Sequence, residues 1–103
     1  MHRDHVPGLP EGFELLGSTS TAINQGMIFR RTRENVGEVQ VFTVQGHPEF
    51  NPDIVGKIVD AREASGAMDP ATVKEGRLRG AKHDDGVGPI GKAVWNVLNG
   101  LRI

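Results

Sequence analysis

The segment EVQVFTVQGHPEFNPD (residues 38–53) contains the change from strand to helix on which the fold depends. Its first half, Glu38 to Gln45, is a block of valine, phenylalanine and threonine, which favours a well-buried β-strand. Its second half carries the signals of a helix start, because Asn51 can cap a helix and Pro52 suits the first helical position. We therefore predict a central strand from Val39 to Gln45, directly followed by a helix.

Between this strand and this helix lies the motif Gly46-His47-Pro48-Glu49. Residues i and i+2 of an extended chain point to the same side, with roughly 7 Å between their Cα atoms at about 3.3 Å per residue. The His47 imidazole and the Glu49 carboxylate can then meet, and such a carboxylate selects the tautomer of the histidine and stabilises the imidazolium. His47 and Glu49 are therefore the candidate catalytic residues, a base and its orienting acid. An isolated His-x-Glu triplet would instead indicate a solvated histidine and a glutamate at a helix start.

The remaining patterns place strands first and helices last. FELLGSTST (Phe13 to Thr21) favours a strand with a polar exit, and GMIFRR (Gly26 to Arg31) favours a second strand. A charged turn with its tip at residues 35–37 leads to the third. Three helices are expected in the second half: from Pro52 to about Ser65-Gly66, from Asp69-Pro70 to about Arg79, and after Pro89. The sequence therefore predicts an α/β fold with about three strands followed by three helices.

Bulk composition limits the classes of function. The chain has 103 residues, a formal net charge of -1 and no cysteine. This size suits one small domain, and this charge gives no electrostatic case for binding nucleic acid or an anionic membrane. No run approaches the roughly 18 apolar residues of a membrane span. We therefore expect a cytoplasmic protein, without disulfides, thiolate metal sites or a thiol nucleophile of its own.

The context of the His-Pro-Glu motif resembles that of the class I glutamine amidotransferases. In that family a strand ends in a glycine-His-Pro-Glu type motif and a helix follows. The N-terminal stretch MHRDHVPGLPEGFELLGST (residues 1–19) resembles the family segment in which a His-x-Asp precedes a "LP-x-G-F" sequence and a strand. The stretch HDDGVGPIGKAVWNVL (residues 83–98) resembles the tail of a fungal and bacterial amidotransferase-like subgroup, with one extra aspartate. The resemblance covers nearly all of this chain but only about the C-terminal two-fifths of the family domain.

The resemblance implies a specific chemistry. In the family a cysteine at a strand-to-helix elbow attacks the side-chain amide of glutamine or of a γ-glutamyl compound, and ammonia passes in many members to a synthase. By position, His47 matches the triad histidine and Glu49 the triad glutamate. The elbow with its cysteine belongs to the upstream half of the family domain. The chain (1–103) is thus expected to be the C-terminal portion of a glutamine amidotransferase-like domain, with an incomplete flavodoxin-like sheet, inactive alone and with no cofactor.

Two other hypotheses remain open besides the one in which the chain is an isolated portion of an enzyme. The chain could be a non-catalytic interaction module on the same fold, or one chain of a split amidotransferase whose partner chain supplies the cysteine. Because a partial sheet would leave a strand edge and an apolar face uncovered, we also expect an oligomeric or aggregation-prone chain. Its partners would then be a substrate, a synthase or a second chain, and neither nucleic acid nor a membrane.

Three smaller clusters are less specific. His2, Asp4 and His5 could hold a metal, but the resemblance implies a structural role or a place at the edge of the substrate pocket, and no metal is expected. The cluster His83-Asp84-Asp85 is better explained as helix capping than as a ligand set. The RRTR cluster (residues 30–33) is expected on a solvated hairpin, offset by nearby glutamates. Trp95 lies off the main apolar stripe of the third helix and marks either the rim of the core or a surface for another part of the protein.

Overall fold

A computed structural model describes residues 2–31, 38–82 and 86–101 of the chain. Within these ranges three strands precede three helices: β1 Phe13–Gly17, β2 Gly26–Arg30, β3 Val39–Val44, α1 Pro52–Ala64, α2 Pro70–Gly80 and α3 Val87–Leu98. This order confirms an α/β fold with strands in the first half and helices in the second. It is consistent with part of a flavodoxin-like domain. The predicted turn tip at residues 35–37 and the capping cluster at residues 83–85 lie outside the described residues.

The chain divides into two compact units. The first contains Met1–His47 and Gly88–Ile103, and the second contains Pro48–Val87. The sheet therefore belongs to the first unit, and the α1–α2 pair to the second. No helix in the described part of the chain is long and apolar enough to cross a membrane.

The sheet of the first unit is an antiparallel meander in the order β1-β2-β3. The sequence predicts that β3 is the central strand. This prediction is wrong for the described sheet, in which β2 is central and β3 lies at an edge. The valine-rich composition of β3 is misleading here because Val41 and Val44 are exposed, whereas in β2 Ile28 is only 2% exposed. The composition of a strand indicates its burial only loosely, since burial depends on which neighbouring strands pair with it.

Side chains reinforce both strand pairs of this sheet. The rings of Phe13 on β1 and Phe29 on β2 lie 5.2 Å apart in a tilted arrangement, which is a favourable cross-strand aromatic contact. The Thr43 hydroxyl on β3 accepts the N–H of Met27 at 3.2 Å and donates to the Met27 carbonyl at 3.3 Å. These contacts fix the register in which Gly26 pairs with Val44.

The strand predicted in Phe13 to Thr21, with its polar exit, ends at Gly17. Thr19 is the reason: its N–H donates to the Ala22 carbonyl at 3.0 Å, and its hydroxyl both accepts the Ala22 N–H and donates to the Ala22 carbonyl, each at 3.1 Å. A threonine that bonds the local backbone in this way competes with strand pairing. The polar stretch after Gly17 is therefore a turn that leads into β2.

Helices α1 and α2 begin and end as the sequence predicts. Asn51 and Asp69 cap them, each side chain accepting a backbone N–H three residues later at 2.9 Å. Gly66 follows the C-terminal cap of α1 at φ +71°. Its N–H bonds to Glu63 O, and the N–H of Ala67 bonds to Arg62 O. This is a Schellman motif, which glycine favours because it adopts positive φ without strain.

The second unit is held together by close packing of α1 on α2. Val59 is fully buried and Val73 is 3% exposed, and burial of each such side chain contributes about 1.5–3 kcal/mol. Arg77 on α2 adds hydrogen-bonded ion pairs to Asp60 at 2.9 Å and Glu63 at 2.5 Å on α1. All three side chains are about half exposed or more, so these pairs add little to stability. Packing, and not charge, therefore fixes this helix pair.

Helix α3 differs from the sequence prediction at its start. It begins at Val87, two residues before Pro89. A proline in the first turn is tolerated because the first N–H groups of a helix have no partner within it. No residue of α3 is buried, and several apolar residues are exposed: Val87, Val94, Trp95 and Leu98. The predicted apolar face of this helix is therefore only partly covered in the first unit.

Replacing Gly80 with alanine is expected to destabilise the helix pair. A Cβ at this position would lie 2.8 Å from Val55 Cγ1, and the branched valine side chain cannot rotate away freely. We expect a loss of about 1–3 kcal/mol in the free energy of unfolding, as for other overpacked cores. Chemical denaturation followed by circular dichroism measures it.

Gly56→Ala is the matched control for that experiment. Gly56 also lies in a helix, but a Cβ there meets nothing within 4 Å. This substitution should therefore raise stability by up to about 1 kcal/mol, because alanine has the higher helix propensity. Equal effects of the two substitutions would show that α1 and α2 do not pack as the structure describes. Adding Val55→Ala to Gly80→Ala should recover part of the loss.

The cap of α2 should make stability depend on pH. Hydrogen bonds from the Thr72 hydroxyl and the Thr72 N–H hold the pKa of the Asp69 carboxyl below its ordinary value of 3.8. Because the folded pKa lies below the unfolded one, this contribution is present above about pH 4 and is lost as pH falls through the folded pKa. Asp69→Asn keeps a capping side chain but cannot titrate.

Denaturation at about pH 6 and about pH 3 tests this account of the cap. The natural chain should lose more stability between the two values than Asp69→Asn does. Thr72→Val should give an intermediate loss, because it removes the hydroxyl donor but keeps the backbone N–H. The same pH dependence in all three chains would contradict the assignment.

Candidate functional site

The segment that carries the His-Pro-Glu motif continues from the sheet. The Gln45 N–H donates to the Gln25 carbonyl at 3.0 Å, so backbone pairing extends one residue beyond the end of β3 at Val44. The chain bends at Gln45 and Gly46 and then reaches His47. The predicted position of His47, just past the C-terminal end of this strand, is therefore confirmed.

His47 and Glu49 are both exposed, with the half-buried Pro48 between them in a turn. Neither residue is without an interaction partner in the structure. The segment Met1–His47 of the first compact unit contains the sheet, and His47 is its last residue. Glu49 lies near the start of the second unit. Their direct pairing, and with it their roles as base and orienting acid, stays a prediction.

The helix that follows the motif is fixed by its cap. Asn51 has an extended backbone, with φ -105° and ψ 172°, and its side chain accepts the Ile54 N–H. Pro52 takes the first helical position, where its missing N–H costs nothing. The backbone on the C-terminal side of Glu49 is therefore held by local interactions that the sequence alone predicts.

A cleft opens beside the end of β3, within the first unit. Its volume is about 150 Å³, and residues from the N-terminal segment, the start of β2 and the end of β3 line it: Val6, Asn24, Gly26, Met27, Thr43, Val44 and Gln45. No charged side chain is among them. The cleft therefore combines apolar walls with two carboxamides, those of Asn24 and Gln45.

Asn24 is the most deeply buried polar residue in this region, at 5% exposure. Its amide nitrogen donates to the Gly8 carbonyl at 3.1 Å and contacts Met27 Sδ at 3.5 Å. A buried amide of this kind is costly unless it is hydrogen-bonded. Asn24 thereby ties the N-terminal segment to the start of β2. The role of Asn24 is not predictable from the sequence, because its contact with Gly8 joins positions sixteen residues apart and no local pattern indicates that contact.

The N-terminal cluster is engaged locally. A ring nitrogen of His2 donates to the Asp4 carbonyl at 2.9 Å. No group of three or more histidine, cysteine, aspartate or glutamate side chains within residues 2–31, 38–82 and 86–101 is placed to hold a metal ion. His2, Asp4 and His5 therefore form no metal centre in the structure, and their predicted place at a pocket edge is not tested.

Two other predicted features are partly described. Arg30, from the basic cluster, pairs with Glu14 on β1 at 3.1 Å, and the expected offset of the cluster by the glutamates of the turn stays a prediction. Trp95 is 65% exposed. That exposure favours a surface position over the core rim. The cluster at residues 83–85 cannot be compared with its prediction, because it lies outside the described residues.

Comparison with known proteins identifies homologues of about half of the chain. A glutamine amidotransferase-like protein of Schizosaccharomyces pombe, named provisionally as such, is 46% identical over 59 residues, which are 57% of this chain and 21% of that protein. A provisionally named glutamine amidotransferase of Saccharomyces cerevisiae is 40% identical over 57 residues, which are 55% of this chain and 20% of that protein. No family model and no solved structure matches the chain.

The matched region spans about one fifth of the length of these two relatives. Identity of this level over more than fifty residues reflects common ancestry of the matched segments. The resemblance to glutamine amidotransferase-like proteins, first drawn from the Gly-His-Pro-Glu motif and its flanks, is therefore confirmed for about half of this chain.

Proposed function

We propose that this chain supplies the histidine and the glutamate of a Cys-His-Glu triad that hydrolyses the side-chain amide of glutamine or of a γ-glutamyl compound. The observation that carries the proposal is the position of His47-Pro48-Glu49, directly past β3 and before the Asn51-capped helix. The similarity of the chain to two glutamine amidotransferase-like proteins supports the same reaction.

In this reaction His47 takes the proton of the cysteine thiol, and the thiolate attacks the carbon of the substrate amide. The carbon–nitrogen bond then breaks, and His47 returns the proton to the departing ammonia. A water molecule, deprotonated by His47, hydrolyses the thioester, which releases the carboxylic acid product and restores the thiol. Glu49 holds the imidazole in the tautomer that accepts a proton at the side facing the thiol and stabilises the imidazolium.

The thiol must come from outside these 103 residues, because they contain no cysteine. Ser65 is no substitute, because it caps the end of α1 and its hydroxyl donates to the Arg62 carbonyl at 3.2 Å. We therefore propose that the chain acts as the C-terminal portion of an amidotransferase-like domain and that its cysteine half is part of the same protein or of a partner chain.

A chimera tests this function. The 59-residue segment of the Schizosaccharomyces pombe relative that matches this chain is replaced, together with its flanking residues, by residues 1–103, and glutamate release from glutamine is measured. We expect the chimera to be active and His47→Gln to reduce kcat by about 10²–10⁴, the usual contribution of a general base. Glu49→Gln should give a smaller loss in kcat with little change in KM, because Glu49 does not contact the substrate.

Glu75→Gln is the matched control, because Glu75 pairs on the surface of α2 with Arg79, far in sequence from the motif. It should leave kcat unchanged. The chain alone should release no glutamate above background. Full activity of the His47→Gln chimera, or glutamate release by the chain alone that His47→Ala abolishes, would show that the proposed roles are wrong.

A further inference from the structure

We propose that the exposed apolar side of helix α3 is the contact surface of a homodimer, in which two copies of this chain pair their α3 helices antiparallel about a two-fold axis. The surface belongs to the first compact unit and consists of five residues: Gly91, Val94, Trp95, Leu98 and Leu101. None of them belongs to the Gly-His-Pro-Glu motif, so the proposal does not depend on the function proposed for His47 and Glu49.

Helix α3 is apolar on two sides. On one side Ile90 and Val97 are half-buried. On the other side Val94, Trp95 and Leu98 are 41%, 65% and 76% exposed. A helix at the surface of a globular protein normally carries polar residues on its outer side, whereas a helix that is apolar all round is normally buried. We therefore infer that a second surface covers the exposed side.

The exposed side is large enough for a specific contact. Val94, Trp95, Leu98 and Leu101, which is 54% exposed just past the helix end, together present roughly 450 Å² of accessible surface, to which the tryptophan contributes most. A standard interface covers about 800 Å² of each partner. These four residues therefore supply about half of such an interface, which fits a dimer of moderate affinity.

Charge does not oppose the pairing of two identical copies. A two-fold axis brings the same patch of both copies together, so a charge near the axis would face a like charge. Within helix α3 the one charged residue is Lys92. At about 100° per residue, Lys92 lies roughly 160° around the helix from Val94 and roughly 120° from Leu98. The contact surface is therefore free of this repulsion.

The shape of the surface is also complementary to itself. A Cβ at Gly91 would meet nothing within 4 Å, so the apolar side has an open notch there. Leu98 lies seven residues later, about 10.5 Å along the axis and on nearly the same face. In an antiparallel pair centred between Val94 and Trp95, Leu98 of each copy lies opposite Gly91 of the other. The most exposed side chain therefore meets the notch twice.

A parallel pair fits this surface less well. Each residue near the axis would then meet its own copy, which places Leu98 against Leu98 and leaves two facing gaps at Gly91. The macrodipoles of two parallel helices also repel each other, whereas those of antiparallel helices attract. The antiparallel arrangement is therefore the one that the spacing of large and small residues favours.

Local hydrogen bonds order this surface before association. The Asn99 side chain donates to the Trp95 carbonyl at 2.8 Å. Gly100, at φ +65°, donates its N–H to the Val97 carbonyl at 3.1 Å and so ends the helix with a tight turn, which glycine adopts without strain. Pairing then orders few additional groups, which lowers its entropic cost.

Sedimentation equilibrium of the chain tests the dimer. We expect a monomer–dimer equilibrium with a Kd on the order of 10 µM. Trp95 is the single tryptophan of the sequence, so its fluorescence should shift to shorter wavelength over the same concentration range, as its ring leaves water. A chain that stays monomeric up to about 1 mM, or that forms aggregates without a dimer, would contradict the proposal.

Gly91→Leu separates this geometry from nonspecific apolar association. The new side chain enters open space in the monomer and favours a helix more than glycine does, so the fold is kept. It fills the notch opposite Leu98 and should raise Kd at least about tenfold by overpacking. Nonspecific association would instead become stronger, because apolar area is added. Adding Leu98→Ala exchanges the large and small positions and should return Kd to within about threefold of the natural value.

Leu98→Lys and Leu78→Lys form a matched pair of variants. Both leucines are largely exposed on helices, at 76% and 63%, but Leu78 lies on α2 and is not part of the contact surface. Leu98→Lys should raise Kd at least about tenfold, because it brings a charge into an apolar contact, and Leu78→Lys should leave Kd unchanged. Equal effects of these two variants, or tighter association of Gly91→Leu, would overturn the proposal.

Discussion

The close approach of β2 and β3 at Gly26 is the constraint on which the first unit depends. A Cβ at this position would lie 2.7 Å from the Thr43 carbonyl oxygen, a distance that real Cβ contacts do not reach, so only glycine permits this pairing. The approach lets Thr43 bond the Met27 backbone and lets Gln45 continue the pairing past the end of the strand. Gly26 thereby determines both a wall of the cleft and the position at which the chain leaves the sheet toward His47.

Local signals are the part of this structure that the sequence predicts well. The pairs Asn51-Pro52 and Asp69-Pro70 and the glycine at position 66 act through neighbours only three or four residues away, so their meaning does not depend on the rest of the fold. Long-range features are harder to predict from the sequence. The edge position of β3 depends on which strands pair with it, and the contact of Asn24 with Gly8 depends on a chain reversal between them. No residue pattern in either segment specifies such partners.

The positions of the candidate catalytic residues along the chain depend on local sequence signals. Their chemistry depends on groups that are distant in the sequence. A strand end followed by Gly-His-Pro-Glu and a capped helix fixes where His47 and Glu49 occur along the chain. Their reactivity depends on a thiol that these 103 residues do not contain. A base activates a nucleophile only within hydrogen-bond reach, about 2.6–3.2 Å. The reaction type is therefore a proposal that the motif motivates, and the groups that would complete it lie outside these 103 residues.

The exposed position of His47 and the neutral, half-enclosed cleft a few residues before it place two different environments along one strand end. A histidine that exchanges protons needs polar surroundings, because burial disfavours its charged form. A cleft without charged walls offers the opposite, since hydrogen bonds strengthen where water is excluded. Thr43 and Val44 still pair with β2 and line this cleft, and Gln45 pairs with Gln25, whereas the chain beyond the bend at Gly46 leaves the sheet. The end of backbone pairing is thus also the boundary between a neutral, partly enclosed surface and an exposed one.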